Sequence, residues 1–124
     1  MHELSIASAL VDNVVKFANS PPSKKVLKVL LQIGEFTCVE PEQLLFCYSV
    51  ATRETSIEDS VLEIEQVAAE VRCLHCGYAG PPKYWDDALA AKPVATLECP
   101  TCGNATEVTH GHDCTIRTIR YIEQ

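Results

Sequence analysis

The sequence predicts an α+β fold, a small sheet with two helices packed on it, interrupted by an inserted cysteine-bearing module. Three observations carry that reading. An apolar stripe at three- and four-residue steps opens the chain, β-branched runs follow it and also close the sequence, and two Cys-x-x-Cys-Gly segments separate the later runs. At 124 residues, 47% of them hydrophobic, the chain is long enough for one ordinary core plus a small appendage.

From Leu4 to Phe17, the residues Leu4, Ala7, Leu10, Val11, Val14, Val15 and Phe17 give one apolar face to a helix of about four turns that begins almost at residue 3. Asn19, Ser20, Pro21, Pro22 and Ser23 break the pattern. Val26 to Ile33 is β-branched and leucine-rich and ends at Gly34, as a buried strand does. Pro41 suits the first turn of a second helix, because its missing N–H is unsatisfied there anyway. Leu44, Leu45, Tyr48 and Ala51 supply the inward face of that helix, and Thr55 and Ser56 stop it. Val61 to Val71 reads as a strand or pair of strands running into the first cysteine pair, and Thr115 to Ile122 as a terminal strand leaving the second. If that last strand returns to the earlier sheet, residues 1–70 and 110–124 form one body and 71–109 form the inserted module.

The module carries the chemistry. Cys73 and Cys76 precede Gly77, and Cys99 and Cys102 precede Gly103. Two residues between the sulfurs let a turn aim both at one ion, and the following glycine supplies the positive φ that ends the turn. Four thiolates so arranged suit a tetrahedral structural zinc ion and make the module zinc-ribbon-like. The 22 intervening residues slightly exceed the usual spacing of roughly 15 to 20, leaving room for a hairpin or loop carrying Pro81, Pro82, Tyr84 and Trp85. Residues 71–109 hold few large aliphatics, so metal binding, worth about 10 to 16 kcal/mol in zinc-finger peptides, is what offsets the entropy of ordering them. Disulfides are the competing reading; seven cysteines, an odd number, and the lack of a secretory pattern after Met1 weigh against them. Iron is another, because Cys-x-x-Cys-Gly-Tyr at 73–78 and Cys-Pro-x-Cys-Gly at 99–103 also resemble rubredoxin.

Composition narrows the rest. A formal charge of −7 argues against nucleic acid, whose binders need a basic stripe, and Lys24, Lys25 and Lys28 read as a solvated rim. No run approaches a membrane span, and the cytoplasm is the expected compartment. There is no Gly-rich phosphate loop, Gly-x-Ser-x-Gly elbow or His-Glu-x-x-His helix, and a zinc ion closed by four sulfurs has no open position for substrate. The chain reads as a non-enzyme.

The opening Met1-His2-Glu3, the segment Gln32-Ile33-Gly34-Glu35, the run from Glu63-Ile64-Glu65 to Val71-Arg72-Cys73, and the paired knuckles together resemble the HypA/HybF family of hydrogenase maturation factors. These are nickel metallochaperones, and the resemblance spans the whole chain. It implies that His2 is a nickel ligand, that Cys73, Cys76, Cys99 and Cys102 bind zinc, and that Glu3 takes part in nickel handling and partner recognition. It also implies partners: a maturation GTPase of the HypB type, the large-subunit precursor of nickel-iron hydrogenase and, in some organisms, urease maturation proteins. Coordination chemistry is compatible with this. The Met1 amine with the amide and imidazole nitrogens of His2 closes two chelate rings in a plane suited to nickel(II), and Glu3 is a candidate for the fourth position. Residues 1 to 3 also read as a frayed terminus with a solvated histidine.

Several residues stay open. Glu40 is a metal neighbour if the helices pack side by side, or a solvated charge at a helix entry. His75 lies inside the first knuckle, while His110 and His112 are solvated or compete for zinc when thiolates protonate. Cys38, Cys47 and Cys114 fit no metal spacing and default to core packing. A rubredoxin-like iron electron carrier and a zinc-ribbon interaction scaffold are the alternative functions, and both monomer and homodimer are open, with exchange about Pro21-Pro22 conceivable.

Overall fold

The computed structural model describes residues 2–85 and 94–124, His2 by its backbone alone. Along the chain run α1 (His2–Asn19), β1 (Lys24–Gly34), a 3-10 turn (Glu35–Thr37), α2 (Pro41–Ala51), β2 (Val61–Val67), β3 (Glu70–Arg72), β4 (Ala79–Gly80), β5 (Tyr84–Trp85), β6 (Val94–Ala95), β7 (Glu107–His110) and β8 (Cys114–Glu123). The fold is mixed α+β, and the chain forms two compact units.

The first unit comprises residues 1–32, 39–65 and 115–124. Its sheet has the order β2-β1-β8, which places the β-branched and leucine-rich β1 at the centre, with Val26, Val29, Leu31 and Ile33 buried along it. Ala7, Leu10, Val11, Val14 and Ala18 form the buried stripe of α1, and α2 contributes Leu44 and Tyr48, with Val26, Val29, Leu31, Ile57 and Leu62 completing the core. The expected inward face of α2 needs one correction. Leu45 is 41% exposed, as are Phe46 and Val50 to similar or greater extents, because only positions one helical turn apart, 44 and 48, meet the core. The helix also ends at Ala51, before Thr55 and Ser56: Thr52 is buried and turns its hydroxyl back onto the Tyr48 carbonyl at 2.9 Å. Exposed cross-strand pairs decorate the sheet, Lys28 with Glu63 at 2.8 Å and Arg117 with Glu65 at 3.0 Å. Such pairs are worth roughly 0 to 1 kcal/mol each, so apolar burial holds this unit together.

The second unit comprises 33–38 and 66–114, so it takes in the turn after β1 as well as the cysteine region. It contains a sheet of order β4-β3-β7 and the two-stranded β5-β6 hairpin. The run Val61 to Val71 resolves into two strands, with Ala68 and Ala69 between them. Glu35 explains the interruption, because its Oε1 accepts the Ala69 N–H at 2.9 Å and also the Tyr84 hydroxyl at 3.0 Å. Gly34 and Gly111 cross at the same place. A Cβ on Gly34 would stand 2.2 Å from the Gly111 carbonyl carbon, and one on Gly111, which has φ 86°, would stand 2.8 Å from the Ala69 Cα. The crossing is closed by Phe36 N–H on the Gly111 carbonyl and Gly34 N–H on the Asp113 carbonyl, both 2.8 Å.

Candidate metal centre

The two knuckles are built alike from the backbone up. In the first, Cys73 N–H donates to the Tyr78 carbonyl at 2.8 Å and Gly77 N–H to the Cys73 carbonyl at 3.0 Å. In the second, Cys99 N–H donates to the Asn104 carbonyl and Gly103 N–H to the Cys99 carbonyl, at the same two distances. Gly77 and Gly103 have φ of 79° and 80°, the left-handed region that an L side chain resists. β3 delivers Cys73 as its next residue, and the Glu98–Ala105 bridge pins the second knuckle on both sides.

The four sulfurs converge within 4.8 Å of one another, and no other cluster of three or more metal-ligating side chains occurs among the described residues. Cys73 Sγ lies 3.6 Å from Cys102 Sγ, and Cys76 Sγ lies 3.5 Å from Cys99 Sγ. A tetrahedron with zinc–sulfur bonds of about 2.3 Å has edges of roughly 3.8 Å, so the donor set fits such an ion with small adjustments. Cys73 and Cys99 are each 1% exposed, whereas Cys76 and Cys102 face solvent.

Sulfur electrostatics show why the cluster wants a cation. At Cys99, burial alone would raise the thiol, but the N–H groups of Cys102 and Thr101 together with the neighbouring Cys76 and Cys102 sulfurs bring it down to about 6. Cys102 is likewise lowered, first by the Asn104 amide and then by the Asn104 side chain. Cys76 also receives a backbone N–H, from Tyr78, yet burial and the crowd of neighbouring sulfurs push it up to about 12. Each sulfur that ionises makes ionisation of its neighbours harder, a conflict that a bound divalent ion removes.

The remaining sequence candidates separate. Met1 and the His2 side chain lie outside the described residues. α1 begins at His2, and the Glu3 carboxylate accepts the Glu40 N–H at 3.0 Å, which joins the first turn of α1 to the residue preceding α2. That bond is the main reason the Glu3 carboxyl is held below the ordinary range. His75 is exposed, and His110 Nδ1 pairs with Glu70 Oε2 at 3.0 Å. Neither these nor His112 belongs to the sulfur cluster. Of the cysteines assigned to core packing, Cys38 is instead exposed, in a left-handed turn with φ 57°, and Cys47 and Cys114 are half-buried. Sequence reasoning did not single out Asn104, whose Nδ2–H points at Cys102 Sγ at 3.3 Å. Its position, two residues past the second sulfur of a knuckle, is the signal available.

Comparison with known proteins places these features in context. A family model described as HypA, hydrogenase/urease nickel incorporation, metallochaperone, matches residues 1–121. The hydrogenase maturation factor HypA of Methanopyrus kandleri is 35% identical over 97% of this chain and 92% of its own length. That of Methanocella arvoryzae is 34% identical over 96% of both. In fold, the chain is similar to the solution structure of the nickel metallochaperone HypA from Helicobacter pylori, with a TM-score of 0.67, 19% identity and 98% of each chain covered.

Proposed function

Because the chain belongs to the HypA family of hydrogenase and urease nickel-incorporation metallochaperones, maturation factors rather than enzymes, we propose that it carries nickel(II) at its N-terminus for insertion into nickel-iron hydrogenase. The four-cysteine site holds structural zinc in this reading. Nickel is cargo, taken by the Met1 amine and the amide and imidazole nitrogens of His2, with Glu3 beside them. The partners are a maturation GTPase of the HypB type, the hydrogenase large-subunit precursor and, in organisms with urease, its maturation proteins.

The observation that carries the proposal is the concentration of sulfur in one cluster, with α1 beginning at His2 well apart in sequence. Four thiolates make a closed cage suited to an ion that stays, whereas three nitrogens in a plane suit nickel(II) and leave it easy to transfer. The Glu3–Glu40 bond supports the same reading, since it ties down the first turn of α1, which a frayed terminus would leave loose. By the Irving–Williams order copper(II) binds such a terminus more tightly than nickel, so selectivity comes from the delivering partner and from metal supply.

Nickel titration of the chain, of its His2→Ala variant and of a form carrying one residue before Met1 tests the proposal. Specific nickel binding is lost in both altered forms while zinc stays at one per chain. Unchanged affinity in the extended form removes the terminal amine from the site. Visible absorption of a ferric thiolate in the isolated protein favours the rubredoxin-like alternative.

A further inference from the structure

The knuckles share their backbone hydrogen bonds but not their side chains, and the difference falls on the sulfurs. Within the cluster, burial of Cys73 and Cys99 leaves Cys76 and Cys102 as the sulfurs within reach of a reagent in solvent. These two occupy equivalent places, each approached by the backbone N–H two residues on, from Tyr78 and Asn104 respectively. Beyond that they differ. Asn104 adds its side-chain Nδ2–H to Cys102 at 3.3 Å, whereas Tyr78 at the matching position turns its hydroxyl away onto the Pro81 carbonyl at 2.7 Å. Among the described residues, no side-chain nitrogen or hydroxyl donates to Cys76. Cys99, in the second knuckle, also receives the Thr101 N–H at 3.4 Å.

A donor aimed at a metal-held thiolate withdraws charge from the sulfur and lowers its nucleophilicity, so the sulfur with fewest donors reacts first. The geometry points to Cys76 as the reactive sulfur of the zinc-loaded site, where a soft electrophile enters and the first knuckle opens, with Asn104 as a positioning residue that shields Cys102. The inference rests on the zinc reading above. With iodoacetamide the step balances simply: a Cys76 lone pair forms the S–C bond to the methylene carbon, the C–I bond breaks, and iodide leaves with its electron pair. No electron or proton is exchanged. The resulting thioether is neutral and a poor zinc ligand, so Cys76 leaves the ion and three sulfurs remain.

The experiment is residue-resolved mass spectrometry of the full-length protein during limiting alkylation by iodoacetamide, with zinc counted before the reagent is added and followed by a colorimetric chelator afterwards. Exposed Cys38 serves as the internal reference. Cys76 is labelled about fivefold faster than Cys102, the scale of one hydrogen bond, and zinc is released in step with the Cys76 label. Asn104→Ala raises the Cys102 rate to that of Cys76 at unchanged zinc stoichiometry and leaves the Cys76 rate as it was, a pattern that a merely structural asparagine does not produce. Labelling of Cys102 as fast as Cys76 in the unaltered protein overturns the inference while zinc binding stands, and so does an Asn104→Ala protein that keeps the original gap. Should Asn104→Ala lose its zinc, the two rates in the unaltered protein decide alone. A chain isolated without zinc overturns the zinc reading itself, together with this inference, before any reagent is used.

Discussion

Single residues fix the local geometry at two places in the fold. Gly34 passes so close to Gly111 that no side chain fits, and the colliding atoms are backbone, which cannot swing aside. Gly34→Ala is therefore expected to destabilise the protein by about 2 kcal/mol or more, at the upper end of overpacking costs, as measured by urea unfolding. Glu3 acts through charge. Its carboxylate accepts the Glu40 N–H, which lowers its folded pKa, so the stabilisation it gives is complete above the unfolded value and disappears as pH falls through the lowered one. NMR titration should place the Glu3 midpoint below that of an unstructured glutamate, and Glu3→Gln should remove the corresponding acid-side dependence from the resonance of the Glu40 amide. An ordinary midpoint contradicts the bond. The roles of Gly34 and Glu35 were only half legible: the sequence shows a glycine closing a strand, but the crossing with Gly111 is a contact between residues far apart in the chain.

At the scale of elements, the periodic segments read well and their ends read poorly. α1, β1 and α2 stand where three-to-four spacing, a β-branched run and Pro41 put them, because each pattern is local and repeated. For Val61 to Val71 the sequence left one strand or two open, and the place of the break at Ala68 and Ala69 was not legible, since the Ala69 N–H is taken by Glu35 from another part of the chain. The face of α2 was misjudged for a related reason. Leu44 and Leu45 are equally apolar, and only packing distinguishes the fully buried one from the exposed one. Leu44→Ala is expected to cost about 2 to 5 kcal/mol in chemical denaturation, whereas Leu45→Ala should stay within about 0.5 kcal/mol. Equal effects would mean that both leucines face the core. In the knuckles the reverse holds: residue spacing alone anticipated four converging sulfurs, because the Cys-x-x-Cys-Gly turn is specified within five residues.

For the molecule as a whole, the two units differ in what stabilises them. The first has an apolar core drawn from α1, α2 and its sheet, whereas among the described residues of the second, the region that follows β2 buries few side chains, chiefly Ala69, Val71, Pro82, Thr106 and two cysteines. Metal removal should accordingly unfold the second while the helices of the first persist. Helical circular dichroism is predicted to survive a strong chelator, and the amide signals of residues 70–85 and 94–110 are predicted to collapse to unfolded positions. Loss of all helical signal along with the metal would show one cooperative unit instead. The net charge of −7 leaves the nucleic-acid reading without physical support at this scale too.

The proposed function separates two metals by donor chemistry, sulfur for the resident ion and terminal nitrogen for the cargo. X-ray absorption of the zinc- and nickel-loaded protein at both metal edges tests it most directly, with the His2→Ala variant measured alongside. Four sulfurs around zinc, only nitrogen and oxygen around nickel, and loss of the nickel signal alone in the variant are expected. Sulfur in the nickel shell, or an unchanged nickel spectrum in His2→Ala, would contradict it.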